Sequence, residues 1–105
     1  MNNNLVNQIK DDITKLAKTL FKEHVKQASE DGEEFLNATR GEVEKWLGQL
    51  ARGEITKKNF ESLMRGERDL ARMEALKRAG LAQVTIDTFV RGVIDIIINA
   101  ATKLV

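Results

Sequence analysis

No proline interrupts the 105 residues, so the sequence offers only glycines, capping side chains and shifts of apolar pattern to end a helix. Between those signals the apolar residues recur at three- and four-residue steps along almost the whole chain, the period of an amphipathic helix. The first such run predicts a helix over about 4–29, with Leu5, Ile9, Ile13, Leu16 and Leu20 on one face. The run Ser29-Glu30-Asp31-Gly32-Glu33-Glu34 then breaks the pattern. It reads as a turn at Gly32, with Asp31 and Glu34 at capping-box spacing for the helix that follows.

That second helix is expected over about 33–52, with Leu36, Val43, Trp46, Leu47 and Leu50 on one arc and Gly53 just past its end. Thr56 is a good N-cap for a third helix, with Ile55 and Phe60 placed as a hydrophobic staple. Two apolar faces on this helix do not line up. Phe60, Leu63 and Met64 lie on one side, and Leu70, Met73 and Leu76 on another, which predicts a break near Gly66. Gly80 ends it, and Thr85 is expected to cap a fourth helix stapled by Val84 and Phe89. The fourth helix has the widest apolar strip, from Ile86 through Phe89, Val93, Ile96, Ile97 and Ala100 to Leu104. The expected fold is therefore all-α: a single domain over 1–105 with four principal helices, packed as an antiparallel bundle or as two helical hairpins.

Composition narrows the chemistry. There is no cysteine, which removes disulfides, thiolate zinc sites and a cysteine nucleophile. The single histidine, His24, falls on the extension of the first apolar face and reads as a structural residue. No Glu-x-x-His pair, calcium loop or glycine-rich phosphate cradle is present, so no catalytic residue, metal or cofactor is expected. The net charge is +1, which does not announce a polyanionic partner. It conceals an imbalance: eight basic against ten acidic side chains in residues 1–55, and nine against six in 56–105. Arg65, Arg68 and Arg72 share one side of the third helix. No stretch is apolar enough to span a membrane, and Met1-Asn2-Asn3-Asn4 lacks the basic and apolar regions of a secretory signal, so a cytoplasmic location is expected.

Residues 79–92, from Ala79-Gly80-Leu81 through Gln83, Thr85, Ile86 and Phe89 to Arg91, resemble the turn and recognition helix of helix-turn-helix repressors of the lactose-repressor type. The resemblance covers about 14 residues, within a segment spanning 70–92. It implies that Gln83, Thr85 and Thr88 would face DNA, with Arg91 near a phosphate. Leu76 departs from that pattern, which wants a small residue where its two helices cross. The reading favoured by the rest of the chain is a non-enzymatic interaction or structural module. Its surplus apolar surface, Trp46 with Phe89, Val93, Ile96, Ile97 and Ala100, would meet a second copy in a dimer or a protein partner.

Overall fold

Asn2 starts the first helix: its side-chain Oδ1 accepts from the Leu5 amide at 2.7 Å, satisfying one of the free donors of α1 (Asn3–Leu20). The computed structural model describes residues 2–103, so Leu104 of the apolar strip lies outside the described residues. After α1 come α2 (Val25–Ala51), α3 (Lys57–Gly66), a 3₁₀ turn (Glu67–Leu70), a short α4 (Glu74–Arg78) and α5 (Gln83–Thr102). The fold is all-α.

The first boundary is not where the sequence put it. α1 stops at Leu20, and α2 runs unbroken through the acidic stretch and Gly32. No glycine or capping group marks residues 21–24. Phe21 instead leaves the helix in an extended conformation, and its buried ring meets Phe89 edge-on, with centroids 5.3 Å apart. An aromatic pair of this kind is worth about 1 kcal/mol beyond the area it buries. The break is thus made by a partner 68 positions away in the chain, which local pattern cannot display.

Gly32 has a different task from the turn expected of it. It lies buried in α2 directly under Ile13 of α1, and a Cβ there would collide with Ile13 Cγ2. On the other flank of α1, Gly92 of α5 sits against Leu16. The pairings Ile13–Gly32, Leu16–Gly92 and Phe21–Phe89 show α1 running antiparallel to both α2 and α5 and wedged between them. Ile9, Ile13, Leu36, Val43, Phe89, Val93 and Ile97 form the centre of this sandwich, and α3 closes it with Phe60 and Met64. Thr39, wholly buried in α2, donates its hydroxyl to the Phe35 carbonyl at 2.9 Å, so no polar group is stranded there.

Local signals hold well further along. Thr56 and Asn59 form a reciprocal capping box at the start of α3: the Thr56 side chain accepts from the Asn59 amide, and the Asn59 side chain accepts from the Thr56 amide. Gly53 and Gly80 both take left-handed φ, at 74° and 81°. Each closes a helix with the paired backbone bonds of a Schellman motif. The break after Gly66 is present as well: α3 passes into the 3₁₀ turn, and the chain runs through extended Ala71 before α4 begins. Thr85 does not cap the last helix. α5 starts three residues earlier, at Gln83 behind the cap residue Ala82, and Val84 stands in solvent, forming no staple.

α4 has no cap of its own. The residue before it, Met73, is buried and held at φ 46°, an unfavourable left-handed conformation for a side chain of this type. Its free amides are served from another helix. Asp31 of α2, itself buried, accepts from Ala75 N–H through Oδ1 at 3.1 Å and from Leu76 N–H through Oδ2 at 2.8 Å. The carboxylate expected to begin α2 thus anchors α4.

Candidate functional site

α5 is amphipathic, and the structure uses its wide apolar strip for the core. Phe89, Val93 and Ile97 are completely buried and Ala100 nearly so, while Ile96 and Trp46 are half-buried against the same cluster. The expected contact surface is therefore corrected: four of those six residues present no surface to a partner while the fold is intact. α1, α2 and α3 together consume an apolar strip that no single neighbour could cover.

What α5 leaves open is a groove beside its outer face. Its near wall runs from Gln83 past Asp87 to Arg91, with the edges of Ile86, Val90 and Ile94 as floor. The far wall comes from the interrupted segment: Arg65, Arg68 and Asp69, then Ala71 and Lys77. The larger hollow, at the Gln83 end, is about 430 Å³ and the smaller, at the Ile94 end, about 200 Å³, and Arg68 and Arg91 border both. Eleven residues of α5 separate Gln83 from Ile94, so the groove is about 16 Å long at 1.5 Å per residue. This is the size and shape of a site that takes part of a ligand or a peptide.

The groove carries four cationic side chains, from Arg65, Arg68, Lys77 and Arg91, and two acidic ones, from Asp69 and Asp87. They are not equivalent. Arg65 is committed: it donates to Glu61 at 3.1 Å and to Asp95 at 3.0 Å, and these two carboxylates hold its proton still more firmly than usual. Asp87 accepts from the Gln83 side chain at 2.9 Å. Among the described residues, neither Arg68 nor Arg91 makes an ion pair, although both are exposed.

Of the residues implied by the helix-turn-helix resemblance, Gln83 and Arg91 line this groove and are exposed. Thr88 is exposed off the groove, its hydroxyl donating to the Val84 carbonyl, and Thr85 is half-buried in the first turn of α5. Gly80 supplies the left-handed turn. The helix before that turn, however, has five residues and packs on α2. Arg68 and Lys77, which complete the site, are not singled out by the short motif. The cue for Arg68 is the shared side of Arg65, Arg68 and Arg72.

A separate hollow of about 280 Å³ lies between α2 and the interrupted segment, bordered by Glu34, Phe35, Ala38, Leu70, Arg72 and Met73. His24 is half-buried at the N-cap of α2, with Nδ1 buried and without a protein partner; Ser29 Oγ is in the same condition, and no hydrogen bond joins them. Among the described residues no group of three or more carboxylates or imidazoles is placed to hold a metal ion, and no helix is long and apolar enough to cross a membrane.

Glu67, first residue of the 3₁₀ turn, has its Oε2 buried without a partner. Burial, and then the negative charge of Glu42, push its carboxyl above the ordinary 4.5. A proton held more tightly in the folded chain favours the fold in acid, and that advantage is lost as pH rises through the folded-state value. Glu67→Gln should therefore melt close to the wild type near pH 4 and above it at pH 7. Thermal unfolding at the two pH values checks this; an equal offset at both, or a lower midpoint at pH 7, would count against the assignment.

No family model matches the chain, and no curated protein or solved structure is similar to it.

Proposed function

We propose that this chain is a non-enzymatic helical interaction module, working in the cytoplasm without a cofactor, and that it meets a protein partner or a second copy through the groove beside α5. The observation that carries the reading is the state of Arg68 and Arg91. Both border the two hollows, and neither is neutralised within the chain, whereas the adjacent Arg65 is neutralised twice. Two exposed guanidiniums on facing walls are well suited to binding, since Arg offers planar, bidentate donors.

The second reading is a DNA-binding regulator using the helix-turn-helix-like segment 70–92. The left-handed Gly80 and the exposed Gln83 and Arg91 favour it. A recognition helix is normally braced by the helix before it, and here α4 leans on α2 instead.

A photo-crosslinking residue at Gln83, within the groove, and another at Lys15, exposed on α1, test the proposal in the native host. Adducts from position 83 and none from position 15 are expected, with light scattering to reveal whether the adduct partner is a second copy. Adducts only from position 15, or none from either, would overturn it.

A further inference from the structure

We infer that the segment received by the groove is an acidic peptide, with carboxylates paired to Arg68 and Arg91. This rests on the interaction-module reading and adds the chemistry of the partner. Three facts lead to it. The cations of the groove that make no ion pair among the described residues, Arg68, Lys77 and Arg91, outnumber its acids, Asp69 and Asp87, once Arg65 is set aside as held by Glu61 and Asp95. This positive charge is displayed chiefly by arginine, whose fork matches a carboxylate through two parallel hydrogen bonds. It is also interrupted: Asp69 and Asp87 sit on the walls among the cations.

The interruption separates the classes of anion. A nucleic-acid strand presents a phosphate at every step and cannot avoid lying against Asp69 or Asp87 in a groove of this length. A peptide places its carboxylates at chosen positions and can set an amide or a lysine against each acid.

The test uses the full chain and a short fluorescein-labelled peptide of glutamates interspersed with leucine, read by anisotropy at low salt. The same peptide with lysine for glutamate, and a random-sequence DNA duplex, serve as competing probes. The wild type should bind the glutamate peptide best. R68E/R91E should bind it at least tenfold more weakly, and should gain affinity for the lysine peptide. Both side chains are exposed, so the variant should melt near the wild type. Reversal of two cations outside the groove, K15E/K22E, should leave the affinity unchanged. The inference is overturned if the wild type ignores the glutamate peptide, if R68E/R91E binds it equally well, if K15E/K22E weakens it as much, or if the duplex binds and the peptide does not. Failure here with groove-specific crosslinks intact would reject the acidic partner and leave the docking surface standing.

Discussion

Asp31→Ala is expected to lower stability by about 3 kcal/mol, because it removes an acceptor shared by two amides and leaves both donors in a buried place. At this chain length such a loss should bring the melting temperature down by roughly 15 °C. Asn at the same position keeps one acceptor oxygen and should cost about half as much. Hydrogen exchange adds a second reading: the amides of Ala75 and Leu76 should lose their protection in the alanine variant before those of α1 or α5 do. A melting temperature within 2–3 °C of the wild type (roughly 0.5 kcal/mol) would show that α4 holds itself, and the interhelical cap would then be incidental.

Gly32→Ala is expected to be nearly as damaging, and Gly92→Ala close to neutral, although each glycine faces α1. At 32 the new methyl would strike Ile13 Cγ2, part of a fully buried β-branched side chain, and Phe89 Cζ stands 3.4 Å off on the other side. Nothing there can rotate away, so the helices must separate, at a cost of roughly 2–3 kcal/mol. At 92 the obstacle is Leu16 Cδ2, the end of a half-buried and flexible side chain. Its rotation is cheap, and alanine gains about 1 kcal/mol over glycine inside a helix. Urea denaturation of the two variants is the measurement, and equal losses would refute the packing described for α1.

The parts of this fold that were legible in sequence are those made by neighbours in the chain. Thr56, Gly53 and Gly80 all act within one turn, and the clash of apolar faces across Gly66 is a matter of period alone. The misread boundary shows the converse. A glycine among acids looks like a turn, yet Gly32 is there for close helix approach and Asp31 for a helix 44 positions away. The real break at Phe21 carries no local mark because an aromatic partner in α5 makes it. The candidate site was half legible for the same reason. Gln83 and Arg91 stand out in a short motif, but their opposite wall comes from a segment whose path depends on that distant carboxylate. The wide strip of α5 was read as a surface for a second copy or a protein partner, and its neighbours proved to be the chain's own α1, α2 and α3.

The dependence of α4 on α2 also sets the order in which the molecule can assemble. A five-residue helix does not hold its shape alone in water, so α4 cannot form until α2 is in place to receive it. The two walls of the groove therefore differ in origin. α5 is a 20-residue helix packed into the core, and the opposite wall is a short segment held by Asp31 and by the buried Met73 and Leu76. The wall formed by α5 is thus set by the α1–α2–α5 sandwich, and the opposite wall by the docking of α4 on α2.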